Sequence, residues 1–264
     1  MSAALLSIEA LAALCGLFAV VYALALWIGN FGIVDIAWSY SFGVLAFIYA
    51  MFGGGWPVRR AMIAAMVVVW SLRLGTHLFV RIARKHPEED GRYQQLRKDW
   101  GRAFGPKMAG FFQLQAVSVV VLGVPFLAAC MNPEPALKAL EACGAALWLL
   151  AISGEAVADA QLALFKRGSP GSAAVCDVGL WRYSRHPNYF FEWLIWVSYF
   201  LFACSSPWGW VGIVSPACIL FLLLRVTGIP ATEAQSVRSK GDAYRAYQAR
   251  TSAFVPLPTR TLQK

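Results

Sequence analysis

Gly179 to Trp196 reads GLWRYSRHPNYFFEWLIW, and this stretch decides how the chain is built. Arg182, Tyr183, Arg185, His186 and Asn188 come first. Tyr189, Phe190, Phe191, Glu192 and Trp193 follow, and the sequence then turns apolar. Pro187 suits the first turn of a helix, where its missing N–H costs nothing. A helix starting there puts Asn188 and Glu192 one turn apart on one face. Glu192 then sits about a turn inside an apolar segment. An isolated carboxylate is expensive there, so it needs a partner or a ligand.

Outward from this stretch the chain is mostly apolar. Of its 264 residues 59% are hydrophobic and 14% charged, against roughly 25% charged in soluble domains. The mean hydropathy is +0.56. The apolar residues fall in runs long enough to cross a bilayer. Backbone groups in lipid must be satisfied internally, so the runs predict helices. The reading is therefore all-α: a single integral membrane domain over 1–264, with seven spans at about 4–28, 31–52, 58–84, 108–131, 136–165, 188–204 and 208–231. The breaks carry turn residues: Gly29-Asn30, Gly53-Gly54-Gly55 before Pro57, Asn132-Pro133, and Ser205-Ser206-Pro207.

Three polar segments remain, the loops 85–107 and 166–187 and the tail 232–264. With seven spans all three share one side, and that side holds most of the Arg and Lys. The positive-inside rule then places the N-terminus outside and the C-terminus in the cytoplasm, as in a bacterial inner membrane. Residues 232–250 read as a polar cytoplasmic helix. The formal net charge of +9 points to topology and an anionic ligand rather than nucleic acid. Six scattered cysteines form no CxxC or Cys/His cluster, so neither a metal site nor a disulfide framework is expected.

Few ionisable residues lie within the spans: Asp35, Arg73, His77, Glu155, Asp159, Glu192 and Arg225. Such residues face a cavity or a partner. They suit either structural pairs, such as Asp35 with Arg73, or one pocket. In VDIAWSYSFG, Asp35 and Trp38 share a helical face and Tyr40 lies about a turn beyond. A carboxyl and a phenol in a dry pocket make a proton-donating pair, so Asp35 and Tyr40 are the catalytic candidates. Trp38 and Arg73 are candidates for contacting the substrate. The loop 85–107 combines Arg92 and Arg97 with Tyr93 and Trp100, which suits phosphates plus a stacked base. No GxGxxG or GxxxxGK[ST] occurs, so a nucleotide would not be held by a Rossmann fold or a P-loop.

GLWRYSRHPNYFFEW resembles the C-terminal signature of the membrane-bound steroid 5-alpha-reductase family. Its RHPNY core also resembles sterol reductases, and a shorter form resembles isoprenylcysteine carboxyl methyltransferases. VDIAWSYSFG, WSLRLGTHLFVR and RYQQLRKDWG look like the bacterial branch of the reductases. The resemblance is motif-specific mainly from Gly154 to Glu192 and at the end of the last span. It implies a seven-helix bundle that takes NADPH from the cytoplasmic side and a lipophilic, steroid-like substrate from the membrane.

Carried over residue by residue, Asp159 matches a cofactor-contacting acid, and Lys166 stands where an Arg is usual. Glu155 stands where the animal enzymes have Asn. Tyr183, Asn188 and Glu192 match the nicotinamide end, with Arg185, His186 and Tyr189 beside them. Arg225 matches a cofactor-binding Arg. The His-rich run that follows it in animal enzymes is replaced by VTGIPATEAQS, with Glu233, Tyr244 and Tyr247 as possible substitutes. The animal Gln-Glu pair is absent, which leaves Asp35 with Tyr40 to hold the substrate's 3-oxo group. The activity this implies is hydride transfer to the beta carbon of a conjugated enone. The alternatives are a membrane methyltransferase using S-adenosylmethionine and a non-enzymatic sterol- or lipid-binding protein.

Overall fold

Apolar runs punctuated by Gly and Pro fold here as eleven α-helices among the described residues. The computed structural model describes residues 2–168 and 174–259. In order the helices are α1 (Ala3–Ile28), α2 (Ile33–Phe52), α3 (Pro57–Lys85), α4 (Gly91–Trp100), α5 (Phe104–Leu122) and α6 (Val124–Cys130). Then come α7 (Ala139–Gly168), α8 (Pro187–Ala203), α9 (Val214–Phe221), α10 (Ile229–Lys240) and α11 (Asp242–Arg250). No strand occurs among the described residues. Part of the loop 166–187 and the last five residues of the tail lie outside them.

Five helical stretches are long and apolar enough to cross a membrane: Ala3–Ile28, Ile33–Phe52, Pro57–Lys85, Ala139–Gly168 and the broken run Gly209–Lys240. A sixth forms if Gly91–Leu122 and Val124–Cys130, which meet at a 40° bend, count as one span. α8 has 17 residues, at the short end of what spans. Large apolar side chains stand exposed on these helices, among them Trp27, Phe47, Leu149 and Leu150. In water such faces are costly; against lipid they are not. The chain is thus an all-helical membrane protein. Two sequence expectations change. The segment 85–107, read as a loop between spans, is largely helical, with α4 and a 3₁₀ turn at Gly101–Ala103. The single polar tail helix is two, α10 and α11, parted at Gly241, whose φ of 57° suits glycine.

The chain forms two compact units, Met1–Ala139 with Phe202–Val214, and Leu140–Leu201 with Ser215–Lys264. In the first, α2 and α3 pack as a helical hairpin with small residues at the contact. A Cβ on Gly43 would lie 2.8 Å from Ser71 Oγ, and one on Gly75 would lie 2.6 Å from the Tyr40 ring. Helices in lipid gain little from apolar burial, so close backbone approach of this kind holds them. Ser71 Oγ donates to Ser39 O at 2.7 Å. Arg59, fully buried, donates to the carbonyls of Asn132, Glu134 and Ala136. Those carbonyls lie in the turn before α7, so this charge has a structural use.

The second unit is built around the motif. Residues 179–182 form a 3₁₀ turn, and α8 starts at Pro187 as the sequence requires. The tail returns beside it. Arg185 N donates to Ser252 O at 2.8 Å, Leu257 N to Tyr183 O at 3.0 Å, and Ser184 Oγ to Phe254 O at 2.7 Å. Phe254 packs edge-on to Phe190. The last apolar run is broken by a π turn at Leu222–Val226, an irregularity frequent at functional sites. Arg225 sits on that turn.

Candidate functional site

Each motif side chain of the second unit is placed by α7, by the start of α8, or by the tail. Trp181 Nε1 donates to Ala158 O at 2.9 Å, which lays the motif against α7. Leu180 N donates to Gln161 Oε1 at 2.9 Å. Gly179 has φ 57°, and a Cβ there would meet the Gln161 amide at 2.5 Å, so only glycine fits. Gly154 of α7 likewise lies under the Phe191 ring, 2.4 Å from where its Cβ would stand.

These contacts bring Asn188 to Asp159. Asn188 Nδ2 lies 3.4 Å from Asp159 Oδ1, and Asn188 Oδ1 accepts from Tyr189 N at 3.0 Å. An N–H···O distance of 3.4 Å is at the long limit of a hydrogen bond. A ligand amide, offering one donor and one acceptor, could displace it at small cost. Glu192 Oε1 accepts from Trp196 Nε1 at 2.9 Å, which supplies a partner to this half-buried acid. Glu155, one turn before Asp159 on α7, is buried.

Arg185 and His186 have a different employment from the one expected. Arg185 Nε donates to Glu233 Oε1 at 2.6 Å, and its Nη1 donates to the carbonyls of Gln248 and Thr251. His186 Nε2 lies 3.3 Å from the same Glu233 oxygen. Gln248 Nε2 donates to the other oxygen at 2.8 Å. Glu233 thereby collects three donors, and the motif is tied to α10 and α11. With these bonds directed inward, Arg185 ties the motif to the tail. The His186 ring stacks on Tyr189, 5.3 Å between centroids at 8°. Tyr189 Oη lies 3.2 Å from Thr232 Oγ1. Tyr247 Oη donates to Trp181 O. Burial pushes the Tyr244 and Tyr247 phenols above their ordinary range, so both stay neutral donors. Tyr183 is 44% exposed, and Lys166 and Arg225 are exposed as well.

In the first unit Asp35 has partners other than Tyr40. Arg92 Nη2 donates to Asp35 Oδ2 at 2.7 Å, and Tyr93 Oη donates to Asp35 Oδ1 at 2.9 Å. Tyr40 Oη lies 3.0 Å from Thr76 Oγ1. The phenol on the Asp35 carboxyl is therefore Tyr93, supplied by α4. Residues 35 and 40 stand about 140° apart around α2, and Tyr40 turns toward α3. Trp38 Nε1 donates to Ser118 Oγ at 2.9 Å. Arg73 is half-buried on α3. Arg97 lies over the Phe104 ring at 4.4 Å and the Phe31 ring at 5.3 Å, and reaches Glu89 at 3.3 Å. Arg92 and Arg97 thus anchor α4, and their charge is largely met within the unit.

Sequence reasoning overlooked the acids that organise this anchor. Asp90 caps α4, accepting from Arg92 N at 3.0 Å and Arg92 Nε at 3.1 Å. Glu89 Oε1 accepts from Phe31 N at 2.9 Å. The Asp90-Gly91 step before a helix-forming run is an N-cap signal and could have been read. Gln248 and Thr251 carried no such signal. No group of three or more His, Cys, Asp or Glu suited to a metal ion occurs among the described residues.

Two comparisons bear on kinship. A family described as "Protein of unknown function (DUF1295)" matches residues 21–251. The chain is also 25% identical over 273 residues to "Uncharacterized protein C594.04c" of Schizosaccharomyces pombe, covering 90% of this chain and 76% of that protein. No solved structure matches it.

Proposed function

The chain belongs to the DUF1295 family, and from the geometry of its motif we propose that it is an NADPH-dependent reductase of the steroid 5-alpha-reductase type. Its substrate is a 3-oxo-delta-4 steroid or a similar lipid enone reaching it from the bilayer. The proposed topology has seven spans, with α8 as the short sixth, the N-terminus outside, and the polar segments on the cytoplasmic side of a bacterial inner membrane.

The observation that carries this reading is the approach of Asn188 to Asp159. The resemblance assigns both to the cofactor, they are 29 residues apart in sequence, and one compact unit brings them within 3.4 Å. The donor set suits a nicotinamide: an Asn amide, an acid across from it, Glu192 one turn on, and the half-exposed Tyr183 ring as a stacking plane. Exposed Lys166 and Arg225 suit the phosphates. When bound, NADPH supplies a hydride to the beta carbon of the enone.

The chain's own residues do the rest. Asn188 and Glu192 orient the carboxamide. In the first unit the phenol beside the Asp35 carboxyl is Tyr93 rather than the expected Tyr40, and its O–H, turned from Asp35 to a substrate carbonyl oxygen, would stabilise negative charge there. Loss of one such donor costs about 10²–10³ in rate.

The test is anaerobic NADPH oxidation by the purified protein in detergent with progesterone or testosterone, alongside thermal unfolding with and without NADPH. A reductase gives the 5-alpha product and an NADPH-dependent rise in Tm. Neither product nor shift, with bound S-adenosylmethionine recovered instead, would overturn the reading in favour of a methyltransferase.

A further inference from the structure

The tail of the second unit borders a half-open pocket of about 290 Å³ lined by Asp177, Arg182, Arg250, Thr251 and Thr259. Neither Asn188 nor Asp159 lines it, and none of its five lining residues carries a role in the reductase reading. Every one is polar. The volume is roughly ten times that of a water molecule in the liquid. That is too small for a whole dinucleotide, and the polar lining suits a small, hydrated ligand rather than a steroid.

Three features give the ligand its chemistry. Arg182 is exposed and has no ion pair or hydrogen bond among the described residues. Arg250 gives one arm of its guanidinium to Asp177 and keeps the rest of its fork. Thr251 is 4% exposed, yet its hydroxyl has no hydrogen-bond partner among the described residues. A buried hydroxyl left without a partner is destabilising, and this one belongs to a residue of the pocket wall, from which a turn about χ1 would bring it to a ligand. Its position is enforced from outside, since Thr251 N donates to Tyr247 O and Thr251 O accepts from Arg185.

From this we propose that the pocket is a binding site for a phosphate monoester carried on a small polyol. Two guanidinium forks and a hydroxyl match the three terminal oxygens of such a group. The lining keeps one net positive charge, and the Asp177 carboxylate faces the ligand as an acceptor for a polyol hydroxyl. The phosphate can belong to a free metabolite or, held through the phosphate alone with no hydroxyl for Asp177, to the headgroup of phosphatidic acid. The inference goes beyond the reductase reading and does not depend on it.

The test measures binding by the full-length protein in detergent, without NADPH. The probes are sn-glycerol 3-phosphate, D-glycerate, and nanodiscs with and without phosphatidic acid. The expected result is saturable binding of sn-glycerol 3-phosphate or of phosphatidic acid, and which of the two binds identifies the source. Arg182→Ala and Thr251→Val each weaken it about tenfold or more, the scale of one hydrogen bond to a charged group. Both fold normally, since Arg182 is exposed and Val fills the Thr251 site without an orphan hydroxyl. Binding of neither phosphate, equal binding of D-glycerate, or equal affinity in the variants overturns the proposal. Reductase turnover measured on the same variants reports separately on the other reading.

Discussion

Arg185 and Glu233, 48 residues apart, form a 2.6 Å ion pair whose side chains are only 10% and 15% exposed. The pair joins the motif to α10, and two further Arg185 bonds reach the end of α11. Removing one partner strands a buried charge, which costs about 3–5 kcal/mol. Arg185→Ala is therefore expected to lower Tm sharply and expose the tail to protease. Glu233→Gln keeps one acceptor and should cost less. Limited proteolysis with C-terminal peptide mapping measures this, and an unchanged cleavage pattern in Arg185→Ala would contradict the strap.

The Asn188–Asp159 approach makes a different prediction, about ligand rather than fold. Their contact is long and weak, so Asn188→Ala should leave Tm without ligand near wild type, and the effect of Asp159→Asn on binding is read against its own Tm. Both should weaken NADPH binding by about tenfold, the loss of one charge-assisted hydrogen bond. Titration calorimetry of the two variants decides it. Wild-type affinity in both would remove these residues from the cofactor.

Asp35 accepts from Tyr93 across 58 positions and not from Tyr40 five positions away. Steady-state turnover should separate the two phenols. Tyr93→Phe and Asp35→Asn are expected to lose about a hundredfold or more, with Tyr40→Phe close to wild type. The reverse order would return the role to Tyr40.

Gly154 faces the Phe191 ring at 2.4 Å from its would-be Cβ. Gly154→Ala forces the ring or the helices apart, at about 1–3 kcal/mol. Thermal unfolding in detergent should show a lower Tm. A compensating Phe191→Leu in the same chain should restore part of it.

Asp90 gives the pH dependence. Burial alone would raise its pKa, but the Arg92 backbone N–H, the Arg92 charge and hydrogen bond, and Arg81 outweigh it and hold the carboxyl below its ordinary range. A carboxyl depressed in the folded state stabilises above its unfolded value, and the stabilisation fades as pH falls through the folded value. The α4 anchor should therefore loosen only below about pH 4. Hydrogen exchange of the amides at the start of α4 should speed up there, and Asp90→Asn should abolish the pH step.

Much of this molecule is written in local pattern. Apolar runs of about twenty residues must be helices in lipid because no water satisfies their backbone. Gly-Asn, Gly-Gly-Gly and Pro breaks set most of the helix ends close to where they fall. Pro187 gave the start of α8, and burial of Glu192 required the partner found in Trp196. The α4 helix was legible too, in the Asp90 cap.

Partner choice was not. The phenol that meets Asp35 comes from a helix 58 residues on, and the acid that meets Arg185 comes from one 48 residues on. Periodicity reports only which residues share a face of one helix. Which face of another helix arrives opposite depends on packing: small residues such as Gly75 and Gly154 admit a ring and so set the approach. Spacing in the chain could propose Tyr40 for Asp35, but only the three-dimensional arrangement of α2, α3 and α4 could choose Tyr93, because hydrogen bonds are made through space.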